Sequence, residues 1–383
     1  MLAFLPMSAP LTPPPPAKPA NPRRDRNLTV LYAAGFAAFL LLGLSQAGYG
    51  PAFGRFRAVF GVSTEVVAGI SSAHFFGSAL GPVLLGALLT RFSLRTAVMV
   101  GSAAFAAGLL CIGLAPVWPL ALSAAFLTGL GFGAISGGFN AAFATLGAGP
   151  SSLVNAMFGI GSVAAPLIAL TLGAYPAPFF LLAVLSAVLT LSLRGVRVWP
   201  EQHPELAGSR VERSKVALFG VLFFVYVGVE AGLGNWATTH LSAIGNPNPE
   251  VITSFYWLAL TVGRLGYAAI GSRLNASRVV LSCALAATLG SLLIAVPILA
   301  PLGYIVVGLG IAPIFSSLLA WFTTRFPVRA APLMLTAGSL GGAVMSALIG
   351  LLVGRFGIQA VPLTAAADAA LLIALVLWMR RQF

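Results

Sequence analysis

Glu230 lies in the middle of the apolar run Val216 to Leu241. An ionisable group in hydrocarbon costs roughly 2.5 to 3.5 kcal/mol even on lenient insertion scales, so a carboxyl kept there points to function. Without a partner it favours its protonated form, and an approaching cation or water favours the carboxylate, which is the behaviour a proton carrier needs. The alternative is a neutral carboxyl that ties one helix to the next. Tyr226, Asn235 and Trp236 surround it in sequence. Amides beside an aromatic platform are what a sugar site needs. Arg264 is a cation within another apolar run; it could hold an anionic solute or extend its head toward the membrane surface. By helix rise, Glu230 lies about 21 Å and Arg264 about 10 Å from the inner surface, a vertical gap of roughly 10 Å, so an ion pair needs both side chains to reach. His74 is a second titratable candidate near mid-membrane, with a neutral hydrogen-bonded ring as its other reading. Gln46, Asn140, Asn155, Trp257 and Trp321 complete the set that could line a polar cavity or serve packing. Asp368 reads as lying near the outer interface.

The elements that must carry these residues follow from composition. With 59% apolar and 8% charged residues and a mean hydropathy of +0.99, the chain reads as an integral membrane protein rather than a soluble domain. A bilayer core about 30 Å thick needs about 20 apolar residues per helix. Twelve windows qualify: 28–49, 63–89, 96–114, 119–146, 152–172 and 178–193, then 216–241, 251–270, 279–299, 302–324, 332–353 and 361–378. The polar stretch 194–215 divides them into bundles of six, 28–193 and 216–379. The predicted fold is therefore all-α and membrane-embedded, with tails at 1–27, read as disordered, and 380–383.

The net charge of +13 would suggest nucleic acid in a soluble chain. Here 17 of the 21 cations fall on the side that carries both termini and the linker. By the positive-inside rule that side is cytoplasmic, in a plasma or inner membrane, and the cations meet anionic lipid head groups rather than nucleic acid. Cys111 and Cys283 sit in apolar spans as packed thiols. No metal-binding pair, nucleophile and base, or nucleotide loop is evident, which argues against an enzyme and against a cofactor.

An internal repeat links the halves. Gly129 to Thr145 reads GLGFGAISGGFNAAFAT and Gly308 to Thr324 reads GLGIAPIFSSLLAWFTT, with seven of seventeen positions identical. Six spans per half give both halves the same orientation, so the two bundles are expected to be related by a parallel pseudo-two-fold repeat. Gly129, Gly133 and Gly137 share one helix face, as do Gly77 and Gly81, which predicts close helix approach.

The loop Gly86 to Arg95, with Arg91 and Arg95, resembles the basic loop between the second and third spans of the major facilitator superfamily. Thr90 stands where that family has an aspartate, and Ser93 where it has a glycine. Arg273 and Arg278 form a weaker copy in the second half. The resemblance implies that these four arginines belong to a cytoplasmic gate. Within the superfamily, Phe224 to Trp236, Phe255-Tyr256-Trp257 with Gly263-Arg264, Gly308 to Phe315, and Phe158 to Gly161 with Pro166 are similar to the fucose:proton symporter branch and its glucose-transporter relatives. Asn155 occupies a position where that branch often has histidine.

These readings converge on a secondary active transporter working by alternating access. It would move a small polar solute, with a sugar as first candidate, coupled to protons at Glu230 and with His74 as a further candidate. It is expected to act as a monomer among membrane lipids. Proton-driven efflux of lipophilic or cationic compounds is the alternative within the class, and a non-transporting membrane sensor the alternative outside it.

Overall fold

A computed structural model describes residues 22–196, 199, 213–326 and 330–382, with side chains described for most of these. The first half comprises α1 (Pro22–Phe60), α2 (Thr64–Val67), α3 (Gly69–Leu89), α4 (Leu94–Leu114), α5 (Trp118–Ala144), α6 (Ala148–Leu172) and α7 (Ala177–Ser192). The second comprises α8 (Arg213–Ala243), α9 (Pro249–Ile270), α10 (Ala276–Ile294), α11 (Ala300–Ile311), α12 (Ile314–Thr323), α13 (Ala331–Phe356) and α14 (Ala360–Gln382). Eleven helical segments among the described residues are long and apolar enough to cross a membrane, α11 and α12 counting as one. The 22-residue α9, which carries Glu250 and Arg264, takes the place of the remaining span.

Helix ends depart from the predicted windows where local chemistry says they should. The expected tail 1–27 is already helical from Pro22, and α1 runs 39 residues, about 58 Å at the standard rise and longer than the apolar core of a bilayer. Residues 1–21 and most of the predicted linker lie outside the described residues; what is described of the linker is a 3₁₀ turn at Leu193–Gly195 and helix from Arg213. The span 302–324 is broken between Ile311 and Ile314, because Pro313 has no N–H to donate and its ring crowds the carbonyl one turn back. Ser93 and Asn275 occupy matching N-caps of α4 and α10, accepting from the N–H groups of Thr96 at 3.3 Å and Arg278 at 3.1 Å.

The repeat is visible in the packing. In the first bundle α1 packs on α6, α3 and α4 on α5, and α4 on α7; in the second α8 packs on α13, α9 and α10 on α11, and α10 on α14. The shared glycines make the same contact twice. Gly129 faces the backbone carbonyl of His74, and a Cβ added to Gly308 would lie 2.5 Å from the carbonyl oxygen of Tyr256. The Gly77 and Gly81 face makes the predicted close approach, and its partner is α5: a Cβ on Gly81 would fall 2.5 Å from the Gly133 Cα. Without an apolar driving force in lipid, such backbone approach is what holds helices together.

Between bundles, α3 meets α13 and α6 meets α9, a pairing that a two-fold exchange of the bundles maps onto itself. Ser72 Oγ donates to the Ala343 carbonyl at 2.7 Å, Gly159 packs on Thr261, and the ring of Phe53 on α1 lies 5.3 Å from that of Trp236 on α8. Gly50 abuts the backbone of Asn235, and Glu65 abuts Gly354. Most of these contacts fall in the half of the molecule away from the termini and linker, here the far face. Thr336, which donates to the Ala79 carbonyl at 3.3 Å, marks how far they extend toward the linker face.

Candidate functional site

Glu230 sits at mid-length of α8 with 6% of its surface exposed. The Tyr226 hydroxyl, one turn earlier, donates to Glu230 Oε2. Arg264 Nη2 on α9 reaches the same oxygen at 2.7 Å and the Tyr226 hydroxyl at 2.8 Å. Tyr256, on α9, donates its hydroxyl to the Glu230 backbone carbonyl at 2.8 Å. One carboxylate oxygen thus receives both a guanidinium and a phenol, a charge-assisted arrangement stronger than neutral hydrogen bonds.

The vertical gap of roughly 10 Å expected between Glu230 and Arg264 is therefore wrong. The register of the two antiparallel helices explains the error. Thr238 and Thr253 share a hydrogen bond of 2.9 Å, and Gly234 packs against the Trp257 ring. Continuing that register places Glu230 level with Thr261, so Arg264 lies three residues away, about 4.5 Å along the axis. Counting from helix ends failed because the two ends are not level.

Arg264 keeps 30% of its side-chain surface, against 8% for Glu230, and its Nε has no partner among the described residues. The pair is therefore anchored on one side and open on the other. Phe315, just after the break between α11 and α12, stacks its ring edge-on against Phe223 and lies 6.3 Å from Tyr226. An aromatic wall beside a paired charge and a phenol can orient a hydroxylated solute.

Several predicted residues are held elsewhere. Asn235 Nδ2 donates to Ser346 Oγ at 2.9 Å, and Trp236 Nε1 to the Ser346 carbonyl at 3.0 Å. Both side chains are committed to α13, and the Trp236 ring also to the contact with Phe53 of the other bundle. Trp257 is buried against Gly234, and Trp321 packs edge-on against Phe219. His74 is fully buried, its Nδ1 3.2 Å from the Tyr49 hydroxyl, ringed by Phe75 and Phe132. Asn155 Nδ2 donates to Asn140 Oδ1 at 3.1 Å, so these two amides meet near the linker face. Gln46 is half-buried on α1.

Among the four arginines of the basic loops, Arg95 donates to the Arg194 carbonyl in its own bundle, while Arg91, Arg273 and Arg278 are exposed. Asp368 is not near an interface: its carboxyl packs against Gly228, at the middle of α8, and Oδ2 has no partner among the described residues. Tyr256 and Phe315 were missed as site residues, although both lie inside the segments that carried the family resemblance. Their roles depend on which way a helix turns, and an apolar background hides that.

Comparison with known proteins extends this picture. The Glucose/mannose transporter GlcP of Bacillus subtilis (strain 168) is 23% identical over 351 residues, covering 83% of this chain and 87% of that one. Among solved structures, the nucleoside transporter NupG superposes with a TM-score of 0.74 at 17% identity, covering 92% of this chain and 98% of that one. The xylose transporter XylE from E. coli, in a partially occluded inward-open conformation, gives 0.74 at 12% identity, covering 92% and 99%. The family model described as Major Facilitator Superfamily matches residues 35–332. Two helical bundles that repeat the same packing, a repeated glycine contact and this match together establish that the chain belongs to the major facilitator superfamily.

Proposed function

We propose that this protein is a proton-coupled secondary transporter of a small polar solute, with a hexose as the first candidate, and that Glu230 carries the proton. The observation that carries the reading is the buried Glu230, bound by Arg264 and Tyr226 on one oxygen at mid-membrane depth. Protonating Glu230 removes the charge that Arg264 is paired with. The guanidinium, already 30% exposed, is then free to bind solute oxygens. Loss of the proton restores the pair and competes the solute away. Solute and proton would thus be linked through one cation, the differential interaction that a coupled conformational change requires.

The two six-helix halves, 28–193 and 216–379, would rock about the contacts of α3 with α13 and α6 with α9. The relative GlcP supports a sugar, and the family supports a carrier rather than an enzyme. Cation distribution supports a plasma or inner membrane with both termini cytoplasmic. Arg91, Arg95, Arg273 and Arg278 would then meet lipid head groups and gate the cytoplasmic side. The polar candidates nearest that entrance are Asn140 and Asn155. A monomer suffices, because each chain supplies both bundles.

The test is uptake of radiolabelled D-glucose and D-mannose into proteoliposomes under an inward proton gradient. Concentrative uptake is expected in the native protein and lost in Glu230→Gln, with tracer exchange at equal pH retained. Unchanged concentrative uptake in the variant removes the proton role.

A second reading has one observation in its favour. A groove of about 630 Å³ between α8 and α13 is lined by Val221, Phe224, Leu333 and Leu340 among other apolar residues, which suits a lipophilic compound entering from the bilayer. Proton-driven extrusion of lipophilic cations with no sugar uptake would select that reading.

A further inference from the structure

Among the described residues, several polar side chains in the second bundle are buried without a role in the site just described. Neither ring nitrogen of His240 on α8 has a hydrogen-bond partner among the described residues, and the Tyr304 hydroxyl on α11 likewise has none. Their rings lie 6.0 Å apart. Tyr304 in turn lies 6.1 Å from Tyr256, whose hydroxyl reaches the Glu230 carbonyl at 2.8 Å. Ser254, two residues before Tyr256, is also buried with a free hydroxyl.

These groups descend in order. His240 lies three residues before the far end of α8 and Tyr304 four residues after the start of α11, both within about 6 Å of the far helix ends. Tyr256 is about 10 Å from the start of α9, and Glu230 about 20 Å from the far end of α8. Buried polar groups in proteins are almost always satisfied, and where protein supplies no partner an ordered water with about three hydrogen bonds does. An imidazole with two free nitrogens next to a free phenol supplies enough partners for such a site. Packing alone would favour phenylalanine and leucine here, since a buried polar atom without a partner costs about 1–3 kcal/mol.

We propose that His240, Tyr304 and Tyr256 line a buried file of water that leads from the far face to Glu230 and delivers protons to it. The other titratable groups along it are Tyr226 and Arg264, both at its inner end on Glu230. The file itself rests on the three side chains; its role in proton delivery rests on the function proposed above for Glu230.

Millisecond hydroxyl-radical footprinting in ¹⁸O-labelled water, on the solute-free protein in nanodiscs, tests the file. After correction for intrinsic reactivity, Tyr304 and His240 should be modified at least fivefold faster than the equally buried Phe105 and Phe139. In Tyr304→Phe, labelling of His240 should fall at least fivefold. Rates at Tyr304 and His240 equal to those of the phenylalanines overturn the file, and so does unchanged His240 labelling in Tyr304→Phe. The readout needs no transported solute, so a dry Tyr304 counts against the file whatever Glu230 does. A Glu230→Gln protein that still accumulates sugar overturns the proton role and leaves a labelled file standing.

Discussion

Arg264 and Glu230 form a pair in which each partner is costly without the other, and that gives a quantitative prediction. Removing one member of a fully buried ion pair costs roughly 3–5 kcal/mol, because the remaining charge is left unsatisfied. Arg264 retains 30% of its side-chain surface, so screening lowers the expected cost of either Glu230→Gln or Arg264→Gln to about 2 kcal/mol. Tyr226 softens each loss by keeping one hydrogen bond to whichever partner remains. In the double variant no unpaired charge is left, and two amides can bond each other. Its cost should be about 1–2 kcal/mol rather than the roughly 4 of the summed singles, a coupling of about 2 kcal/mol. The assay is heat-induced loss of the monodisperse peak in detergent for native, single and double variants. A midpoint for the double variant at or above the singles supports the pair. A drop equal to the sum of the single drops would refute it.

Three further outcomes follow from the packing. Gly308→Val should abolish the monodisperse, membrane-inserted protein, because a Cβ there meets the Tyr256 carbonyl at 2.5 Å and the β-branch cannot turn away; normal yield by fluorescence-detected chromatography would contradict the repeated glycine contact. Trp236→Phe keeps a ring against Phe53 but loses the bond to the Ser346 carbonyl, so stability should fall by about 1 kcal/mol, and a cysteine pair reporting far-face opening should cross-link less often than in the native background. Asp368→Asn replaces a buried carboxyl oxygen lacking a protein partner with a neutral isostere, and should hold or raise the heat-inactivation midpoint at neutral pH; a clear fall would mean the carboxylate has a partner that matters.

How much of this was legible beforehand depends on what each feature rests on. Spans, their number and the parallel repeat could be read because hydrocarbon imposes one rule on every residue that crosses it, and a run of twenty apolar residues obeys that rule locally. The glycine faces could be read for a similar reason: a spacing of four puts residues on one side of a helix whatever surrounds it. Glu230 stood out because charge is expensive in that environment. What it touches did not.

The amino-acid sequence by itself determined a membrane-embedded pair of like-oriented helix bundles and singled out Glu230 as the carboxyl at mid-span. Only the tertiary structure decided that Glu230 and Arg264 meet, since the relative register of α8 and α9 is set by Gly234 against Trp257 and Thr238 against Thr253, contacts that no local pattern encodes. It also turned Asn235 and Trp236 toward Ser346, away from the role their neighbourhood in sequence suggested. Periodicity fixes which residues share a helix face, but the rotation and height of one helix against another are settled by the fit of many side chains at once.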